Sequence, residues 1–311
     1  MTTEPAKYQY APDTWLLLLN PVSGGGRGLR QRTRIESAMA ARHLSAHTAV
    51  SEYAGHTTEL VARAIRAGCR RLLVGGGDGS LSEAVNGILA VAEVPSTDVT
   101  LALLPVGTGN DWARGHGIPH DIDRALDIVA AGRVQAHDAG YVDFPASGAR
   151  RHFINVAGIG FDAIVVEHMP SRKLGWLAYL VGLLRSLGSL SPIPLRIAVD
   201  GRTEHADALV LFACIGRYCG GAMFVAPRAR SDDGKLDLTL IRHMPRLSIL
   251  RSLPRLFDGS IAAHPRVTMW QTGAARIDAP AGTPLEADGE FIGHAPAAFG
   301  VLPGALRVML P

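Results

Sequence analysis

Gly75-Gly76-Gly77-Asp78-Gly79-Ser80, placed just after the apolar run 71–74, decides how this chain reads. A buried strand that ends in glycines lets the backbone pass close to a ligand, with amide N–H groups available for phosphate oxygens. Two further segments repeat the pattern. Asn20-Pro21-Val22-Ser23-Gly24-Gly25-Gly26 follows the run 15–19, and Pro105-Val106-Gly107-Thr108-Gly109-Asn110-Asp111 follows 100–104. Three such loops at successive strand ends imply a nucleotide site with an acid, Asp78, in its middle. That combination points to phosphoryl transfer.

Around these loops the first 140 residues alternate strand and helix signals. Strands are predicted at 15–19, 47–53, 71–74 and 100–104, and helices at 29–44, 58–67, 81–91 and 122–131. Gly68 and Gly132 stand where helices should stop. The capping-box spacing Ser80-Leu81-Ser82-Glu83 predicts a helix that starts immediately after the glycine turn. Such alternation predicts a mostly parallel sheet with helices on both faces, whose ligands bind at the carboxyl ends of the strands. After about residue 140 short strand-like runs dominate, at 152–157, 195–200, 208–215, 236–241, 267–270, 275–279 and 305–310. Asp200-Gly201, Asp233-Gly234 and Pro303-Gly304 are turn signals between them. Helical candidates interrupt at 174–187 and 245–257. The expected fold class is therefore α/β: a parallel nucleotide-binding domain over residues 1–140, then a largely antiparallel β domain, a sandwich or partly closed barrel, over residues 141–311.

Composition narrows the function classes. A chain of 311 residues accommodates two domains, and 47% hydrophobic with 19% charged residues is ordinary for a soluble globular protein. A formal charge of +3 without a long basic run argues against a nucleic-acid partner. Cys69, Cys214 and Cys219 form no C-x-x-C pair and read as buried thiols in a reducing cytosol. Residues 1–13 are polar and lack a signal-peptide layout. The most apolar stretch, 174–184, falls short of the ~20 residues that a bilayer span needs. The expected location is cytoplasmic, with any membrane contact peripheral. A homodimer is compatible with the sequence, which does not define the oligomeric state. The twelve histidines are dispersed and show no metal-ligand spacing.

Familiar phosphate signatures are missing. There is no G-x-x-x-x-G-K-[ST], and no G-x-G-x-x-G at the first strand–helix junction. Gly158-Ile159-Gly160-Phe161-Asp162-Ala163 fits a relaxed form of the latter, but in the β-rich half it reads as a tight turn. The three loops in order do resemble the diacylglycerol kinase catalytic family, which includes bacterial lipid kinases and the related sphingosine and ceramide kinases. The likeness continues through Asn155-Val156-Ala157-Gly158-Ile159-Gly160, Asp232-Asp233-Gly234-Lys235-Leu236-Asp237 and Glu286-Ala287-Asp288-Gly289-Glu290. It thus covers nearly the whole chain. The resemblance implies an α/β nucleotide domain and a β-sandwich domain, with ATP and lipid meeting in the cleft between them. One departure is visible: some members carry a C-terminal helix that returns to the first domain, whereas this chain ends in the strand-like run 305–310.

The resemblance also implies site residues. Asn20, Ser23, Gly24, Gly107 and Thr108 would line the nucleotide cleft, as would Ser51, placed through Gly55. Gly76, Gly77, Gly79 and Ser80, with the helix carrying Glu83, would offer backbone N–H groups to the phosphates. Asp78 would hold Mg²⁺ or act in proton transfer, since a carboxylate among phosphates requires a cation between them. The alternative is an aspartate that stabilises the turn by local hydrogen bonds. Asp288 is the expected base for the acceptor hydroxyl, with Glu290 in reserve, although Asp-Gly-Glu alone reads as a hairpin turn. Asp111 would orient metal or substrate, or cap the following helix. Asp233 matches a structural Mg²⁺ site completed by main-chain carbonyls of Arg230 and Lys235, or else is a generic turn residue.

A lipid acceptor needs an apolar cavity or access to a bilayer. The run 174–184, with Trp176 and Tyr179 and flanked by Arg172, Lys173 and Arg185, is expected to cover an acyl pocket, enter the membrane, or pack on the second domain. Arg242, Arg246, Arg251 and Arg255 surround another apolar helix, which Pro254 should bend; they form either an acidic-lipid docking face or a solvated surface. A soluble acceptor, as in NAD kinases, and a catalytically silent lipid-binding protein are the competing readings.

Overall fold

The computed structural model describes residues 10–160 and 191–311, which divide into two units: one formed by residues up to His137 and from Gly304 onward, the other by Asp138–Pro303. The predicted helix at 174–187 and the end of the Gly158–Ala163 segment lie outside the described residues.

Five consecutive buried apolar residues make β1 (Trp15–Leu19) a central strand of the first unit. It pairs in parallel with β2 (Ala46–Val50) on one side and β3 (Arg71–Gly76) on the other. β3 pairs in parallel with β4 (Thr100–Pro105). The order β4-β3-β1-β2 reverses direction at β1 and β3, and the crevice at such a switch point is where open α/β sheets bind ligands. The helices here are α1 (Arg27–Arg30), α2 (Arg32–Ala40), α3 (His56–Arg66), α4 (Asp78–Leu89), α5 (Asp111–Gly115) and α6 (Ile122–Ala131). The single helix expected over 29–44 is broken at Gln31. α3 and α4 lie so close that a Cβ on Gly87 would stand 2.7 Å from the Thr58 carbonyl oxygen. Gly132 ends α6 at φ 70°, the left-handed geometry that glycine adopts without strain.

The chain leaves this unit along β5 (Val134–Phe144) and re-enters it along β17 (Ala297–Met309). Arg307 and Val308 of β17 pair in parallel with Thr100 and Leu101 of β4. The final run, expected in the second domain, therefore extends the first unit's sheet.

The second unit is antiparallel. Its strands are β6 (Ala149–Phe153), β7 (Val156–Gly160), β8 (Ile193–Val199), β9 (Arg202–Cys214), the short pair β10 (Tyr218–Cys219) and β11 (Met223–Phe224), β12 (Leu236–Arg242), β13 (Val267–Thr272), β14 (Ala274–Asp278), β15 (Pro284–Ala287) and β16 (Glu290–His294). The 13-residue β9 organises it, pairing with β7, β8 and β12. Alternate residues of β8 and β9 enter a core with Phe153, Leu238, Ile277 and Phe299, while Val210 and Phe212 face a second cluster with Val225 and Ile249. Gly158 and Gly160 sit inside β7 rather than in a tight turn. All three cysteines are buried thiols, and burial pushes Cys69 up to about 11. Among the described residues no helix is long and apolar enough to cross a membrane.

Candidate functional site

In the first unit the three glycine loops converge at the carboxyl ends of β1, β3 and β4. Asn20 ties the first loop to the second: its Nδ2 donates to Ser80 Oγ at 2.9 Å, and its Oδ1 accepts from Val22 N at 3.0 Å. Gly24, at φ 57°, passes so close to the third loop that a Cβ would fall 2.0 Å from the Val106 carbonyl oxygen. Gly77 and Gly107 cross backbone to backbone, and a Cβ on Gly107 would stand 2.5 Å from Gly77 Cα. The amides of Val106 and Gly107 both donate to Gly76 O at 3.0 Å. Ser23 Oγ lies 3.7 Å from the Cβ position of Gly77, so it reaches the same crossing. Thr108 is exposed beside it, and Gly107 is buried. Ser51, also buried, stands at the end of β2, its amide bonded to Leu19 O.

α4 begins at Asp78 rather than at Leu81, with Gly77 as its N-cap, so Gly79 and Ser80 occupy its first turn. The expected capping box does not form. Glu83 instead turns to the neighbouring helix, accepting from Gly55 N at 2.9 Å and Thr57 N at 3.1 Å, where it satisfies the N-terminal amides of α3. Its carboxylate is thereby engaged with α3.

Asp78 binds through both oxygens to the start of α5, accepting from Asp111 N and Trp112 N at 3.0 Å each. Asn110, the N-cap of α5, has left-handed φ of 53° and makes no side-chain cap, so Asp78 supplies the cap from 33 residues away. Burial pushes the Asp78 carboxyl above its ordinary value, and the amides of Trp112 and Asp111 oppose that rise. Asp111 is itself buried; its carboxylate and that of Asp78 both face Gly109, at 3.9 and 3.1 Å from that glycine's Cβ position.

Asn110 carries no signal of its own in the sequence beyond its place in the third loop. Its side chain is fully buried, with Nδ2 donating to Gly107 O at 2.9 Å. Among the described residues its Oδ1 has no hydrogen-bond partner, and it lies 2.7 Å from the Cβ position of Gly107. The same loop thus carries an orphaned amide oxygen against Gly77 and Gly107 and two carboxylates against Gly109, all hard oxygen donors. Such a set fits Mg²⁺. The first turn of α4, which Asp78 opens, presents amides, which fit phosphate. Trp112 holds this corner through its indole N–H, which donates to buried His137 Nε2 at 3.1 Å.

In the second unit, Asp288 and Gly289 form the turn of the β15–β16 hairpin at φ 49° and 80°, the left-handed pair that an Asp-Gly turn favours. The hairpin reading is correct, and it does not exhaust the residue. The Asp288 carboxylate accepts from Ile154 N at 3.0 Å, Asn155 N at 3.0 Å and Val156 N at 3.2 Å, which fixes its orientation at the head of β7. Glu290 pairs with Arg151 at 3.1 Å. Asp233 accepts from Lys235 N at 3.1 Å within its own turn, and Arg230 pairs with Asp232 at 3.2 Å. Among the described residues, no three His, Cys, Asp or Glu side chains gather as a metal site.

A switch-point crevice walled by three glycine loops, joined in one chain to an antiparallel β unit, is the architecture expected of a phosphotransferase. Comparison with known proteins agrees. Residues 14–142 match the diacylglycerol kinase catalytic domain, and residues 155–310 match the YegS C-terminal NAD kinase beta sandwich-like domain. The chain is 32% identical over 301 residues to a "Diacylglycerol kinase" of Mycobacterium tuberculosis, covering 94% of each. It is 34% identical over 261 residues to a "Probable lipid kinase YegS-like" of Shewanella frigidimarina, covering 81% of this chain and 80% of the relative. A crystal structure of a diacylglycerol kinase from Bacillus anthracis superposes with a TM-score of 0.73 at 22% identity, covering 96% of this chain and 97% of that one, which shows the shared fold. The chain belongs to the diacylglycerol kinase catalytic-domain family and is a phosphotransferase.

Proposed function

We propose that this protein is an ATP- and Mg²⁺-dependent lipid kinase that phosphorylates a hydroxyl of diacylglycerol or a related lipid. The observation that carries the reading is the crossing of Gly77 and Gly107 beside the first turn of α4, with Asn110 Oδ1 against it and the Asp78 and Asp111 carboxylates at Gly109 of the same loop. The Gly77–Gly79 backbone and the helix N-terminus bind phosphate oxygens; Asn20, Ser23, Gly24, Ser51 and Thr108 border the nucleotide. Asp78 and Asp111, with Asn110 Oδ1, would hold Mg²⁺, which when bound would neutralise charge on the transferring phosphoryl group. Asp288, its orientation fixed by three amides, accepts the proton of the lipid hydroxyl as that oxygen bonds to the γ-phosphorus and the bond to ADP breaks, an effect of about 10²–10⁴-fold. Asp233, with the carbonyls of Arg230 and Lys235, is proposed as a structural Mg²⁺ site. Peripheral membrane contact, a cytoplasmic location and a homodimer belong to the same proposal.

The test is incubation with γ-labelled ATP, a panel of diacylglycerol, sphingoid base, phosphatidylglycerol and polyprenol, and NAD as a soluble acceptor. Label is expected in the organic phase, and chelating Mg²⁺ should abolish it. Label found only in NAD overturns the lipid assignment; label in neither overturns the kinase reading.

A further inference from the structure

Large apolar side chains are exposed at seven places among the described residues, and three of them fall on one short segment: Leu247 at 57%, Leu250 at 38% and Phe257 at 45%. The segment comprises α7 (Arg246–Ser252) and α8 (Arg255–Asp258), joined by Leu253 and Pro254 in helical conformation. Proline contributes no N–H, and across it the bonds shorten to the i−3 pattern, Leu256 N to Leu253 O and Phe257 N to Pro254 O. The α-helical bonding is thus interrupted at Leu253–Pro254, between α7 and α8.

At helical spacing this segment carries two apolar stripes. Ile249, Leu253 and Leu256 recur at i, i+4 and i+7 and pack on the β-unit core. Leu247, Leu250, Pro254 and Phe257 recur at i, i+3, i+7 and i+10 on the adjoining face and are exposed. A surface helix of a globular protein needs only the first stripe. The second lies among like charges: over residues 245–266 there are four arginines against one carboxylate, Asp258, and that carboxylate accepts from Ser260 N at 2.8 Å. Arg251 and Arg255 are exposed on the leucine side of the segment.

We propose that the outward face of α7–α8 is the surface by which this protein docks on an anionic lipid bilayer. Leucine and phenylalanine side chains enter the headgroup–acyl boundary while the arginines meet anionic headgroups, the layout of an interfacial helix. Arginine stems also cover apolar surface while their charged ends reach outward. Charge complementarity selects the bilayer over a second copy of this chain, whose identical face would bring arginine against arginine. The inference deepens the reading of the acceptor as a lipid and rests on it: a water-soluble kinase must reach molecules held in a membrane.

Vesicle flotation of the full chain tests it, using phosphatidylcholine alone and phosphatidylcholine–phosphatidylglycerol mixtures at low and high salt. Wild type should float with the anionic vesicles, less so in high salt. Leu247→Ser with Leu250→Ser, and Arg251→Glu with Arg255→Glu, should each weaken partition more than about tenfold. Both should phosphorylate a short-chain diacylglycerol presented as monomers within about twofold of wild type, since none of the four residues is among those assigned to nucleotide, metal or the acceptor proton. Variants that float like wild type overturn the proposal, as does equal binding to phosphatidylcholine alone. Wild-type self-association that the variants abolish, seen by sedimentation velocity, overturns it in favour of a second copy. Flotation needs no nucleotide, so failure of the kinase reading shows as absent phosphorylation with partition intact.

Discussion

Asp78 stands at the glycine turn that opens α4, where we place the phosphates, and its oxygens hold the first amides of α5. Asp78→Asn keeps one acceptor and loses the charge, so kinase turnover should fall about 10²–10³-fold. Stability should respond differently. Burial places the folded-state carboxyl above the ordinary 3.8, so the native state binds more protons than the unfolded chain just above that value. Its contribution is full at lower pH and is lost as pH rises through the folded value. The urea midpoint of Asp78→Asn relative to wild type, in metal-free buffer, should therefore improve as pH is raised from about 4 to about 7. His152 has the opposite sign. Burial, reinforced by Arg150, depresses it from 6.5 to about 4, so wild type should lose stability as pH falls through that window. His152→Gln should flatten the urea midpoint over the same range. Asp78 could be picked out from its glycine neighbours, but its amide partners could not, because they lie 33 and 34 residues away.

At the scale of elements, the glycine crossing requires bare backbone. Gly107→Ala would press a methyl group against Gly77 Cα and the orphaned Asn110 oxygen, separating the second and third loops. Denaturant unfolding should show a loss of about 1–3 kcal/mol, and nucleotide affinity should fall with it. Glu83→Ala should cost about 0.5–2 kcal/mol through the uncapped start of α3, with Glu83→Gln in between. Parallel strands and their loops were readable because unbroken apolar runs ended in glycine. The split of the 29–44 helix, all of β5 and the β15–β16 strands were not. β5 and β6 carry Arg, His and Asp on one face, where Arg150 grips Asp143 through two bonds of 2.6 and 2.7 Å, so their apolar signal is weak. The capping box failed for a related reason: Glu83 had a better offer from α3, which only tertiary structure reveals.

For the whole molecule, the last residues matter more than a terminal position implies. Leu306, Val308 and Leu310 are buried, and Ala305 O accepts from Ser96 Oγ at 2.7 Å. Deleting residues 304–311 should lower hydrogen-exchange protection in β4 before it affects β9. The sequence divided near residue 140 by a change in strand and helix grammar, but the return of the chain through β17 was hidden, because pairing partners are not written in a strand. The same holds for Asp288, whose amide donors lie more than 130 residues away. That carboxylate is also where the proposed chemistry is most exposed to refutation. Turnover of γ-labelled ATP onto monomeric diacylglycerol should be compared between wild type and Asp288→Asn, with urea midpoints recorded for both. We expect kcat to fall at least about 10²-fold while the KM for ATP stays near wild type. Lipid labelled by Asp288→Asn at the wild-type rate would contradict the account.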